Sequence, residues 1–368
     1  MDSIPSPRAS QDAPHSASDP VGVGLGGQDP LLGEPVSDPL SLYRMRDGLM
    51  AVDLLAAAVS HLNLFTWLAD HPSTLGAMVV QFGIQTRPAE VLLALTGALG
   101  LTTQAGGVYH LTLRAREHLV EGSPYCLKPY YDTLQKRPQT LECLEVLRSG
   151  KPANWGSAHS AAWAQAMESD AFADEFTAAM DCRGVVLAPA LARRLALGES
   201  QALLDVGGGS GVYACAMVAA HPHLRAAVYE KAPVDRIAAR AIGRRGYGER
   251  VEVLCGDMFA EPWPTGFDVV LLSNVVHDWD EPEVKNLLAR AAAALPSGGL
   301  LVVHDAFLNA QKNGPLPVAQ YSVLLMHSTE GRCYSVGEMR AWLEEVGLEW
   351  VEHHPTAVDR SYVLARKL

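Results

Sequence analysis

Residues 203–211 read Leu-Leu-Asp-Val-Gly-Gly-Gly-Ser-Gly, and this stretch decides the fold. Apolar residues around an acid make a short buried strand. Glycines then take over where the chain must turn sharply and where a ligand can approach the backbone. The residues that follow, VYACAMVAAHP, are apolar at helical spacing. A strand, a glycine turn and a helix in that order place free helical N–H groups above the turn.

The same alternation runs on through the chain. AAVYE precedes APVDRIAARAIGRRG, VEVLCGD leads to FDVVLLSNVV, and EPEVKNLLARAAAAL precedes GGLLVVHDAF. Strands separated by helices imply a parallel sheet covered on both faces. The end differs: the helix VGEMRAWLEEVG is followed by LEWVEHH and SYVLARKL, with only PTAVDR between them. Two strands joined so closely must pair antiparallel, so the sheet is expected to finish in a hairpin.

Upstream the pattern is helical. A chain of 368 residues is long for one core and predicts about two domains. Residues 1–38 are rich in Pro, Ser, Asp and Gly and are expected to be disordered, or else to strap onto a partner subunit. Residues 39–122 carry the long apolar stretch MAVDLLAAAVSHLNLFTWLA, then PAEVLLALTGALG, then two extended runs around Gly106-Gly107. Helices followed by a two-stranded wing describe a winged-helix module. Residues 123–198 read mostly as a helical connector, and 199–368 as the alternating domain.

Composition excludes several functions. The chain is 48% hydrophobic and 19% charged, with a net charge of −12, so phosphate backbones would repel it unless a basic patch existed. The densest basic runs are short, and PAEVLLALTGALG holds no Arg or Lys with which to read a DNA groove. Six cysteines stand singly, which suits free thiols in the cytoplasm. No apolar run reaches the ~20 residues of a membrane span.

Two ligands compete for the glycine turn. Gly209, Gly211 and Ala214 match a dinucleotide pattern. Asp205, beside Gly207, would however repel a pyrophosphate, and it suits a cation without phosphate such as S-adenosylmethionine. Glu230 ends the next strand, where a carboxylate can accept both ribose hydroxyls. Asp257 can accept an adenine amino group while Met258 packs on the ring. Each acid alone is equally a cap or turn residue. Three acids at successive strand ends beside one glycine turn point to a ligand.

The fourth strand ends in SNVVHDWDE, residues 273–281, where a core would favour another Val over His277. With LLDVGGGSG, CGDMF and LPSGGLLVVHDAF, the run NVVHDWDEPEV resembles the small-molecule O-methyltransferases of the caffeate and acetylserotonin type, over about residues 43–368. The resemblance implies a Rossmann-like class I methyltransferase domain, a winged-helix dimerisation domain and a homodimer. It implies S-adenosyl-L-methionine as cofactor, with Ser273 added to its site, and His277 as general base.

A catalytic imidazole needs a partner on its other nitrogen, and Asp305 is the candidate. Asp278 is expected to cap the next helix. The family's second acid falls on Cys333 or, with a shift, near Glu330. The acceptor pocket is expected to use Met180, Trp155, Phe307, Met326 and His327. Arg183 either pairs with an acceptor carboxylate or forms a salt bridge to Asp181 or to another residue on its helix face. His327 could instead join His277 and Asp305 as a metal face. N- or C-methylation and a DNA-binding regulator are the alternative functions.

Overall fold

The computed structural model describes residues 31–153 and 169–368. Gly106 and Gly107 both take positive φ, 57° and 81°, as a two-residue hairpin turn requires. They join β2 (Thr102–Ala105) to β3 (Val108–Leu111) with Ala105 opposite Val108. A short β1 (Ser73–Thr74) adds to β3, giving the antiparallel order β1-β3-β2. The wing expected from the sequence is present, with one strand more.

The long apolar stretch before it is not one helix. It breaks into Ala51–Ala56, a π-helical turn Ala57–His61, and Leu64–Asp70. Asn63 sits at φ 48° between the last two, a left-handed position that Asn tolerates. Among the described residues no single helix is long and apolar enough to cross a membrane.

Seven strands form the large sheet. They are β4 (Ala202–Val206), β5 (Arg225–Glu230), β6 (Val251–Cys255), β7 (Val269–Ser273), β8 (Leu300–Asp305), β9 (Leu348–Pro355) and β10 (Ser361–Lys367). Their order is β6-β5-β4-β7-β8-β10-β9. The first five are parallel, with Asp205 level with Val228 on β5 and Leu271 on β7. β10 runs antiparallel to both β8 and β9, which is the expected terminal hairpin.

Side-chain alternation explains why both faces are covered. Leu203, Leu271 and Val302 pack into one core with the helices Val212–Ala220 and Val234–Arg245. Leu204, Leu272 and Val303 pack into another with Glu281–Ala294 and Val336–Glu345. The strand order reverses at β4, whose neighbours β5 and β7 lie on opposite sides, so a crevice opens at its carboxyl end.

The described part of the connector is helical in Lys128–Asp132, Pro138–Ser149 and Asp170–Ala192, with irregular chain between. The last helix lies against Val212–Ala220. A Cβ on Gly184 would stand 2.4 Å from Val212 Cγ1, so glycine is what permits the approach.

Packing does not respect the expected boundary near residue 199. Leu316–Ser328 is buried nearly all round, and its Val318, Tyr321, Val323 and Met326 join the amino-terminal core of Leu54, Phe65, Leu92 and Leu147. A helix apolar on every side needs cover on every side. The tail also departs from expectation at its end. Leu31 is buried with Leu191 and Leu195, and Arg193 pairs with Glu34 at 2.8 Å. The tail up to residue 30 lies outside the described residues.

Candidate active site

The glycine turn stands at the crevice. Gly207, Gly209 and Gly211 have φ of 67°, 56° and 74°, so three left-handed residues bend the chain between β4 and its helix. Glu230, at the end of β5, accepts from the Gly209 N–H at 3.0 Å and from its neighbour Lys231 N–H at 3.0 Å.

Asp205 is 1% exposed. Its Oδ2 accepts from the Ala214 N–H at 3.2 Å, and its Oδ1 has no partner among the described residues. Burial pushes its carboxyl up to about 7 against the help of that N–H, and nearby Glu230 adds to the push. An acid so placed becomes a full carboxylate when a cation arrives and would oppose a phosphate. The residues therefore fit a cationic, phosphate-free cofactor.

Asp257 lies two residues beyond β6. Its Oδ1 accepts from the Phe259 N–H at 2.9 Å and its Oδ2 meets Lys231 Nζ at 3.2 Å. Burial would raise its carboxyl, but that N–H and the Lys231 ammonium hold it below the usual range. It is thus at least a turn cap. Met258 Sδ lies 3.8 Å from where a Cβ on Gly207 would stand, which puts it against the turn. Ser273 is tied inward: its Oγ lies 3.2 Å from His304 Nδ1 and accepts from Asn274 Nδ2 at 3.2 Å.

His277 sits in the short turn Val276–Asp278 that follows β7, 3% exposed. Its Nδ1 is 2.5 Å from Asp305 Oδ1, at the end of β8. That oxygen also accepts from the Ala306 N–H at 2.7 Å, while Asp305 Oδ2 has no partner among the described residues. Burial opposes charge on the imidazole. The Asp305 carboxylate outweighs it, with help from Tyr321 and Asp278, and holds His277 up to about 9. Burial likewise opposes the Asp305 charge, yet His277 keeps that carboxyl below its ordinary range.

The other ring nitrogen, Nε2, is 3.6 Å from Asp278 Oδ1. Asp278 does not cap the following helix. Asp280 does, accepting from the Glu283 N–H at 3.2 Å. Tyr321 stands edge-on to the imidazole, with ring centroids 5.6 Å apart. Its hydroxyl accepts from Arg183 Nη1 at 3.0 Å, and the Arg360 guanidinium lies 4.2 Å over its ring.

The remaining candidates are scattered. Glu330 reaches Lys151 at 3.9 Å, and among the described residues it has no hydrogen bond to His277. Cys333 is buried in the amino-terminal core, its N–H donating to Ser322 Oγ at 3.1 Å. The reason is local. The turn before them is pressed on the backbone of His277, so that a Cβ on Gly331 would lie 2.1 Å from the His277 carbonyl oxygen. Arg87 holds this turn, with Nη1 donating to the carbonyls of Met326, Thr329 and Gly331 at 3.2, 3.1 and 2.9 Å. Its Nη2 donates to Gly150 at 2.9 Å.

His327 meets Glu142 Oε2 at 3.0 Å, away from the expected metal face. Among the described residues no three His, Cys, Asp or Glu stand ready to hold a metal. Phe307 and Met326 are packed core residues. Met180 is half-buried on the helix that carries Arg183. Trp155 lies outside the described residues. Asp181 does not pair with Arg183: Arg245 Nη2 takes both its oxygens at 2.6 Å, and Ser210 donates to it as well. Sequence reasoning missed Tyr321, Arg360 and Arg87. The one local signal was a phenol in the mostly apolar run YSVLLM.

A five-strand parallel run, a terminal antiparallel hairpin and a glycine turn between acids define a Rossmann-like methyltransferase domain. Residues 142–349 match the model of the O-methyltransferase domain family. The chain is 31% identical over 311 residues to the 3-hydroxy-5-methyl-1-naphthoate 3-O-methyltransferase of Streptomyces sahachiroi, covering 84% of this chain and 89% of that one. It is also 31% identical over 321 residues to the N,N-dimethyltransferase OxyT of Streptomyces rimosus, covering 85% and 91%. Among solved structures it is similar to an O-methyltransferase family 2 protein from Planctomyces limnophilus, in complex with apigenin. That match has a TM-score of 0.83 at 34% identity and covers 92% and 98% of the two chains. The chain belongs to this O-methyltransferase family, a family of enzymes that use S-adenosyl-L-methionine.

Proposed function

We propose that the protein methylates a hydroxyl of a small aromatic acceptor, with His277 as general base. The observation that carries this is the 2.5 Å contact between His277 Nδ1 and a buried Asp305. In the neutral imidazole the proton on Nδ1 is donated to Asp305, which leaves the lone pair on Nε2 to take the acceptor's proton. A base held up to about 9 suits this task. A phenol loses its proton near ~10, so transfer is almost balanced, where an ordinary imidazole near ~6.5 would pull weakly.

Bound S-adenosylmethionine supplies a methyl group on a positively charged sulfur. Asp205 and Glu230, at neighbouring strand ends, provide the negative charge that favours such a cation. Burial of the imidazole keeps water from competing for its proton. Naphthoate and apigenin, named for two relatives, are both flat aromatics, which supports an aromatic acceptor.

His277→Ala should lower kcat by about 10²–10⁴ while S-adenosylhomocysteine still binds in calorimetry. Unchanged turnover would remove the base and favour N-methylation, in which a neutral amine attacks unaided. The likeness to OxyT keeps that second reading open. We read the chain as a homodimer through the exposed apolar residues Leu42, Met45 and Leu49, which recur at helical spacing. Sedimentation at monomer mass would refute this.

A further inference from the structure

We propose that Arg183 is a carboxylate receptor in the catalytic crevice. The inference rests on the methyl-transfer reading and narrows the ligands it admits. Other arginines near the site are matched. Arg245 pairs with Asp181, Arg360 with Asp47 and Arg332 with Glu90 and Glu338. Arg87 pairs with no acid among the described residues but is met by four carbonyls. Among the described residues the Arg183 guanidinium makes one hydrogen bond, to the Tyr321 hydroxyl, and no ion pair.

A guanidinium carries five N–H donors in a planar fork. Holding one in a partly buried site with a single neutral partner is costly, and a bidentate carboxylate is the group that best removes that cost. The nearest acid in sequence, Asp181, is already taken by Arg245 and Ser210. The place is suited to a ligand as well. Gly184, the next residue, packs on Val212 at the start of the glycine-turn helix. Tyr321, which Arg183 holds, turns its ring edge to His277. Arg183 therefore stands between the cofactor turn and the base. A carboxylate can reach it from either side, as the acid group of a hydroxyaryl acceptor or as the amino-acid end of the cofactor.

Calorimetry on wild type, Arg183→Gln and Arg183→Lys distinguishes the two sources. The probes are hydroxybenzoates and hydroxynaphthoates, each beside its methyl ester, and S-adenosylhomocysteine beside 5′-methylthioadenosine. An acceptor carboxylate predicts that Arg183→Gln weakens the free acids about 10- to 100-fold and leaves the esters alone. A cofactor carboxylate predicts the same loss for S-adenosylhomocysteine with none for methylthioadenosine. Either result supports the receptor, and Arg183→Lys should recover part of the loss. If Arg183→Gln does not fold, Arg183→Lys carries the comparison, with a smaller loss expected. The proposal is overturned if neither pair separates, including the case where no acid binds wild type and S-adenosylhomocysteine affinity is unmoved. These binding readouts do not depend on His277, so failure of the base assignment would be seen separately in the His277→Ala turnover.

Discussion

Replacing Asp305 by Asn keeps the size of the side chain and removes the charge that holds His277 up to about 9. Burial would then be opposed by the smaller contributions of Tyr321 and Asp278, and the imidazole should fall well below its wild-type value, toward the ordinary ~6.5. Only the neutral ring can accept the acceptor's proton. In the wild type, kcat/KM should therefore climb with pH until about 9 and level off above it. In Asp305→Asn it should already be level above ~6.5, at a plateau lower by about 10² or more, because an amide no longer enforces the Nδ1–H tautomer.

The movement of more than two pH units is worth about 3 kcal/mol at ~1.4 kcal/mol per unit. It should also appear in stability. The folded value lies above the unfolded one, so the stabilisation from a protonated His277 is complete below ~6.5 and is lost as pH rises through about 9. Denaturant midpoints should fall between those limits in the wild type and not in the variant. The assay is transfer from labelled cofactor at constant ionic strength, over about pH 5.5 to 10, with unfolding curves at both ends. Coincident pH limbs for the two proteins would show that Asp305 does not set the imidazole's charge.

Two further variants probe how the base is held. Gly331→Ala drives a Cβ to within 2.1 Å of the His277 carbonyl oxygen. It should cut kcat at least tenfold and cost about 1–3 kcal/mol of stability, with S-adenosylhomocysteine affinity nearly constant. A full-rate variant would mean that the turn yields and the base does not feel it. Arg87→Met abandons four carbonyls, on Met326, Thr329, Gly331 and Gly150. It should lower unfolding free energy by about 3 kcal/mol or more, and Arg87→Lys should restore little, since one ammonium cannot span them. Wild-type stability in either variant would count against a structural role for Arg87.

Much of the site was legible because it is local. Asp205 and the glycines share one strand–turn–helix segment. Glu230 and Asp305 each end a strand, and a short, nearly continuous apolar run that gives way to an acid makes such an end visible in a single sequence. His277 stood out as an ionisable residue after the fully buried β7. What failed was non-local. The placing of Glu330 depended on how residues 326–335 turn, and Arg87, far off in sequence, decides that turn. Asp181 was one of the partners expected for Arg183, but one helical face pointed Asp181 at Arg245 instead. Tyr321 reads as core by composition, and only the approach of Arg183, Arg360 and His277 gives its ring and hydroxyl a polar setting.

By itself, then, the amino-acid order determined the sheet, the glycine turn and the acids and imidazole at its edge, because alternation and turn chemistry act over a few residues. Which charged groups face one another across the crevice was decided only when Leu316–Ser328 packed into the amino-terminal core and brought Tyr321 against His277, since electrostatic pairing follows distance in space and not along the chain.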